Sequence, residues 1–300
     1  MPQWTISDPE KITFDQPVSV LQVRTVAGAV NVVATDGPAR LEVAEIDGAP
    51  LLVTLADGTL TVTYEDLSWR DFSWQQFSMK TLASWIDSWR RKRRAVVSLA
   101  VPAAARVELG TVSADSVVSG IAGRVTVRCA SGDTTLVRVS GPVEANSVSG
   151  SVDAQSISGD LKVHTFSGGL TVVEGTASRL QANSVSGAVT VDLDNRGPAD
   201  IRINTVSGEV AVRVPHPGDT RVEAGTNSGQ VSSAFKELRV GGTWGAKRLS
   251  GRLGAGTGRL QVTTVSGSVA LLRRPVADDS EDPGPRLDLT KDTDKDGDDA

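Results

Sequence analysis

The dipeptide Ser-Gly returns along this chain at a fixed stride, and a fixed stride commits a sequence to a repeat architecture. It stands at Ser131-Gly132, Ser140-Gly141, Ser149-Gly150, Ser158-Gly159 and Ser167-Gly168, nine residues apart each time. It continues at Ser186-Gly187, Ser207-Gly208, Ser228-Gly229, Ser250-Gly251 and Ser266-Gly267, at intervals of 19, 21, 21, 22 and 16. The longer interval reads as alternate turns keeping the dipeptide while the others change chemistry.

The residue before the Ser is apolar, as in Val148, Ile157, Phe166, Val185, Val206 and Val265. Three and five places after it come apolar residues again, such as Val152 with Ala154, Leu161 with Val163, and Val210 with Val212. Alternation with polar neighbours is the period-2 pattern of a half-buried strand. Gly after Ser can take positive φ without a Cβ clash, so each unit reads as a short strand and a tight turn. Nine residues cannot bury their own apolar face, so units must stack. Two units make a coil of about 18–21 residues, and coils paired at the ~4.8 Å strand spacing give a β-solenoid. An antiparallel sandwich of hairpins is the competing architecture. Three places before the Ser stand Asn146, Asn183 and Asn204, with Gln155, His164 and Thr263 at equivalent places. They read either as an amide ladder along the axis or as turn-entry residues bonding their own backbone.

The layout has four parts. Residues 1–66 read as strands and hairpins, with turns at Asp36-Gly37-Pro38, Asp47-Gly48 and Asp57-Gly58. Within them Thr25-Val26-Ala27-Gly28-Ala29-Val30 looks like a first, degenerate copy of the repeat. Residues 67–94 differ in kind, and 95–274 form the solenoid proper. After Pro275 come ten acidic and three basic residues with hardly any apolar ones, which predicts a disordered tail. That tail carries seven negative charges net, against −5 for the whole chain, so the rest is near +2.

Residues 67–94 hold four of the six Trp residues, Trp69, Trp74, Trp85 and Trp89. From Ser78 onward Met79, Leu82, Trp85, Ile86 and Trp89 fall within an arc of about 120° of a helix. The stretch ends in Arg90, Arg91, Lys92, Arg93 and Arg94. A Trp-rich apolar face beside cations suits a helix lying on an anionic membrane surface, where each cation adds on the order of 1 kcal/mol. The same helix could cap the open end of the solenoid or fill a partner's groove.

The chemistry of a catalyst is missing. His164 and His216 are the only histidines and occupy unrelated repeat positions, which leaves no triad and no multi-His metal site. The carboxylates Asp133, Asp160 and Glu209 share a turn position but are scattered, unlike the clustered acids of β-helix polysaccharide enzymes. Gly254-Ala255-Gly256-Thr257-Gly258 lacks the strand–helix setting of a phosphate loop. Asp292-Thr293-Asp294-Lys295-Asp296-Gly297 opens like a calcium loop without the closing Glu. One basic run is a poor nucleic-acid footprint. Cys129 reads as a small buried residue. The expectation is no cofactor, no metal and no small-molecule substrate.

The units Thr205-Val206-Ser207-Gly208-Glu209-Val210 and Ser147-Val148-Ser149-Gly150-Ser151-Val152, with Val101-Pro102 before the first coil, resemble the bacterial "putative adhesin" or toastrack-type β-repeat family. The resemblance implies a β-helix-like scaffold of unknown function, often found with envelope-stress membrane proteins, and supplies no catalytic residue. The chain starts without a basic, apolar leader and has no run of ~18 apolar residues, so the expected location is the cytoplasm, peripheral at the inner face of the membrane. The reading is an all-β solenoid with a helical insertion, acting as a non-enzymatic scaffold for a protein partner or an anionic membrane. A self-assembling adhesin-like element and a carbohydrate-active β-helix enzyme are the alternatives.

Overall fold

A computed structural model describes residues 2–65, 67, 93–194, 197–215, 219–243 and 245–274. Every regular element in them is a strand. The first eight are β1 (Gln3–Ile6), β2 (Glu10–Phe14), β3 (Val20–Thr35), β4 (Ala39–Gly48), β5 (Leu51–Ala56), β6 (Thr59–Thr63), β7 (Arg93–Pro102) and β8 (Arg106–Ser119). Short strands follow two to a coil: β9 (Val125–Cys129) with β10 (Thr134–Val137), β11 (Val143–Ser147) with β12 (Val152–Gln155), β13 (Leu161–Thr165) with β14 (Leu170–Gly175). Then come β15 (Arg179–Ser184) with β16 (Val189–Leu193), β17 (Asp200–Thr205) with β18 (Val210–Val214), and β19 (Thr220–Thr226) with β20 (Val231–Ser233). The last are β21 (Arg239–Thr243), β22 (Ala246–Leu253), β23 (Gly258–Thr264) and β24 (Val269–Arg273).

The pairings sort these strands into two sheets around one core. The front sheet runs β1, β5, β6, the first half of β3, the first half of β8, then β9, β11, β13, β15, β17, β23, β19, β22 and β21. The back sheet runs β2, β4, β7, the second halves of β3 and β8, then β10, β12, β14, β16, β18, β24 and β20. Each coil gives one parallel strand to each sheet, in registers such as Val143 beside Leu161 and Val152 beside Leu170. The solenoid is therefore the architecture, and the hairpin sandwich is not. Inward positions are mostly Val, Leu, Ile and Ala, and they form one buried core. The degenerate copy at Thr25–Val30 is where β3 bends from one sheet into the other.

The turns correct one expectation. Of the repeat glycines only Gly187 has positive φ, at 145°. The others, Gly132, Gly141, Gly150, Gly159, Gly168, Gly208, Gly229 and Gly267, have ordinary φ, and a different constraint selects them. A Cβ on Gly150 would overlap the carbonyl oxygen of Gly132, one on Gly168 that of Gly150, and one on Gly267 that of Gly208. The turns stack so closely that the preceding coil fills the side-chain position. On the edge where the chain passes from front to back (the first edge), this row is complete from Gly132 to Gly229. On the second edge it stops at Gly159, which is why the stride doubles. Most first-edge Ser residues donate their hydroxyl to a carbonyl of the neighbouring coil: Ser131 to Val112 at 3.1 Å, Ser149 to Ala130 at 3.1 Å, Ser167 to Val148 at 3.2 Å.

Two further corrections concern the C-terminal end. Ser250-Gly251 is not a turn; it lies inside β22, antiparallel to β19, with Gly251 opposite Val222. Coils also do not stack in chain order there: β23 and β24 sit between the β17–β18 coil and the β19–β20 coil. Both ends are closed by antiparallel strands and a buried plug. Trp4 of β1 meets Phe14 of β2 edge-on at 5.4 Å across the two sheets, and Phe235 and Leu238 are buried at the other end. Asp57 and Gly58 form the expected β5–β6 hairpin turn, both with positive φ. Asp47 and Gly48 instead end β4, paired with Arg94 and Arg93.

Gly150→Ala should cost about 1–3 kcal/mol or more, because the added methyl overlaps backbone that cannot swing away. Ser149→Ala should cost no more than about 1 kcal/mol. Urea melts of both variants check this; equal, small losses would remove close stacking as the reason for the glycines.

Candidate functional site, the first edge

The first edge brings three rows of side chains together because successive coils cross it at the same register. Just before the crossing, the front strands end on a buried polar residue: Thr111, Cys129, Ser147, Thr165, Ser184, Thr205, Thr264 and Thr226. Several of these bind their own turn. Ser147 donates to the Gly150 carbonyl at 2.6 Å, and Thr264 and Thr226 accept the amides of Gly267 and Gly229 at 3.0 Å. Cys129 takes the same place, its Sγ 3.0 Å from the Gly132 amide, and burial pushes its thiol pKa up. It is a small buried residue of the turn, as expected.

One residue earlier and facing outward is the amide row. Asn204 donates to Asn183 Oδ1 at 3.1 Å, and Asn183 Nδ2 lies 3.3 Å from His164 Nδ1. Asn146 stands beside His164 in register and Thr263 beside Asn204. The ladder reading holds for His164, Asn183 and Asn204. Gln155 is outside it, on the back sheet between Val137 and Val173. The His164 imidazole is held below its ordinary pKa by burial first and the Lys162 ammonium second, with Glu144 acting the other way.

One residue after the buried polar row, the apolar residue of the repeat points outward. Phe166 is 39% exposed, Val185 38%, Val206 47% and Val265 47%, stacked along the edge by bonds such as Phe166 N–H to the Ser147 carbonyl. The same repeat position on the second edge, at Val139 and Ile157, is buried. Sequence reading had assigned both edges one role.

The coil made by β6 and β7 interrupts this edge. Its front strand ends at Thr63, its back strand starts at Arg93, and residues 64–92 stand between them in sequence. Trp69, Trp74, Trp85, Trp89, Arg90 and Arg91 lie outside the described residues, as does the tail from Pro275. Arg93 and Arg94 are described, and they belong to a strand rather than a helix end. The Arg93 guanidinium stacks over the buried Tyr64 ring at 5.5 Å from its centre, and Arg94 lies 3.7 Å from the Glu45 carboxylate.

Nothing on the described surface assembles a reaction centre. Asp133 lies on the first edge, where its Oδ1 accepts the Ser151 amide at 2.8 Å, while Asp160 lies on the second edge and pairs with Arg179 at 2.8 Å. The Gly254–Gly258 loop does not present its amides to a phosphate: those of Gly256 and Thr257 bond to Asp219, whose pKa the Thr257 hydroxyl lowers further. Among the described residues no group of three His, Cys, Asp or Glu could hold a metal, and no helix is long and apolar enough to cross a membrane.

The chain belongs to the family described as Toastrack DUF4097, whose model matches residues 49–272. It is similar in structure to a "putative lipid binding protein" from Parabacteroides distasonis, with 14% identity, a TM-score of 0.45, and 90% of this chain and 98% of that one covered. A "putative adhesin" from Bacteroides fragilis gives 11% identity, the same TM-score of 0.45, and 89% and 98% coverage. No curated protein is significantly similar in sequence. Likenesses this distant carry no inference about activity.

Because His164 has a depressed pKa in the fold, it binds fewer protons there than in the unfolded chain. Its share of stability is present above the unfolded value near 6.5 and is lost as pH falls through the lower folded value. His164→Asn keeps an amide in the ladder without that titration. Denaturation midpoints of variant and parent should agree near neutral pH and separate below about pH 6 in the variant's favour; parallel curves would show that His164 does not couple to folding.

Proposed function

We propose that the protein is a non-enzymatic β-solenoid scaffold that docks by its first edge onto an anionic membrane surface. The observation that carries this reading is an alignment. The exposed stripe of Phe166, Val185, Val206 and Val265 runs along the same edge at which β6 ends and β7 begins, the strands between which residues 68–92, with their Trp and Arg content, stand in sequence. An apolar stripe on the edge that a Trp-rich, basic segment joins in sequence combines apolar and cationic chemistry, which a membrane interface accepts. The competing role for the Trp segment, a cap on the solenoid end, loses its purpose. β1 with β5 and β2 with β4 already cover that end of both sheets. An envelope-stress role fits such a place and rests on the family resemblance alone.

End-to-end self-assembly is the weaker reading. The terminal strands are short or interrupted, with four residues in β1, three in β20, and Gly241 and Gly242 in β21. Such ends are poor templates for pairing.

The test is co-sedimentation of the full chain with vesicles of anionic or neutral lipid. Binding should require the anionic lipid and fall as salt rises. Arg90→Gln with Arg91→Gln should weaken it about tenfold or more. Phe166→Ser with Val185→Ser and Val206→Ser should weaken it without lowering the melting temperature, since those side chains are exposed. Failure to bind anionic vesicles, or unchanged binding by the Ser variant, defeats the proposal and leaves a protein partner as the occupant of this edge.

A further inference from the structure

A second surface, on the front sheet beside the other edge, breaks the charge pattern of the solenoid. The first outward position of successive front strands carries Asp160, Arg179, Asp200, Arg259, Arg221 and Arg252 in register. The row begins by alternating. Asp160 pairs with Arg179 at 2.8 Å, and Asp200, next to Arg179, pairs with Arg202 at 2.9 Å. Then alternation stops, and Arg259, Arg221 and Arg252 stand on adjacent strands roughly 4.8 Å apart. All three are exposed, and none has an ion pair among the described residues. Of the nearby acids, Asp200 stands beside Arg259 in register but pairs with Arg202. Asp219 is engaged by the Gly256–Thr257 loop, and Glu223 stands alone in the next row, beside an open groove of about 750 Å³ lined also by Arg239, Lys247 and Arg248.

Like charges directly opposite one another in a sheet are destabilising, so three stacked arginines call for an anionic occupant. The chain supplies one at the right place. Back strand β10 ends at Val137 and the next front strand starts at Val143, six residues on, across the second edge. Six residues past the end of β24 at Arg273 is Asp279, within Asp278-Asp279-Ser280-Glu281-Asp282. At about 3.3 Å per residue, an extended chain from Arg274 reaches at most roughly 13–26 Å at these positions. The sheet position beyond β23 is already filled by β19, which leaves the outer face, with its arginines, as the surface open beside this edge.

We propose that Arg259, Arg221 and Arg252 form the docking surface for this chain's own acidic segment Asp278–Asp282. The segment's four carboxylates are opposite in charge to the row of three arginines, and guanidinium forks hold carboxylates in paired hydrogen bonds.

The experiment follows backbone amide shifts of the tail in the full-length protein. Shifts at residues 278–282, and not at 292–299, should move on adding about 0.5 M salt, which screens exposed pairs. They should move in the same direction in the variant Arg221→Gln with Arg252→Gln and Arg259→Gln. A labelled peptide of sequence Ala-Asp-Asp-Ser-Glu-Asp-Pro-Gly, added in trans, should bind about tenfold more tightly once the tethered competitor is neutralised by Asp278→Asn, Asp279→Asn, Glu281→Gln and Asp282→Asn. The salt titration needs no variant, so a folding defect cannot mask the answer. Tail shifts indifferent to both salt and the arginines overturn the proposal. So does a peptide affinity equal in parent and neutralised chains, or a parent protein that binds anionic vesicles through these arginines without moving the tail.

Discussion

The solenoid depends on how closely one turn can lie on the next. Strands in register sit about 4.8 Å apart, and at the edges the backbone closes further, until the carbonyl of one turn occupies the space where the next would carry Cβ. Only glycine satisfies that spacing. Everything else on the first edge follows from it: the Ser hydroxyl reaching the carbonyl of the neighbouring coil, the buried Thr or Cys receiving the turn's amide, the amide ladder one residue earlier. A looser turn would lose the hydroxyl bonds and the ladder, because both span the gap between coils.

That coupling also explains why the edges differ in chemistry. With the Ser-Gly turn kept from Gly132 to Gly229, the first edge holds Phe166, Val185, Val206 and Val265 outward on successive coils. On the second edge the dipeptide ends at Gly159, later turns change in length and composition, and charges collect beside it: Asp160 with Arg179, then Asp192 and Asp194 around Arg274. One edge is uniform and apolar, the other irregular and ionic. A protein with two such borders can engage two kinds of surface without a pocket.

Much of this was legible in the letters. The nine-residue beat gave two strands per coil, the inward Val and Leu positions, and the first copy at Thr25–Val30, because facing is a local property that alternation records. What alternation does not record is neighbourhood. The glycines were credited with positive φ because their real constraint, the carbonyl of Gly132 over Gly150 for example, belongs to another coil. Ser250-Gly251 has the letters of a turn and lies in an antiparallel strand, since its partner β19 decides its geometry. Val148 and Ile157 share a repeat position and differ in burial because one crosses each edge. The candidate surface suffered most: the Trp and Arg residues that drew attention lie largely outside the described residues, while the exposed stripe beside them used residues indistinguishable from core.

The displaced coil has a consequence in time. Until β23 and β24 are in place, β17 and β18 each lack a neighbour, and β19 lacks the strand that joins it to the front sheet. Asp200 waits for Arg259, across more than fifty residues of intervening chain. A ribosome-bound chain can wind its coils in order as far as β18 and must then hold an open end until its final strands emerge. Repeat proteins commonly grow by adding each unit to the last. This one is finished by an insertion, so its last-made coil acts as the latch that commits the C-terminal part of the molecule.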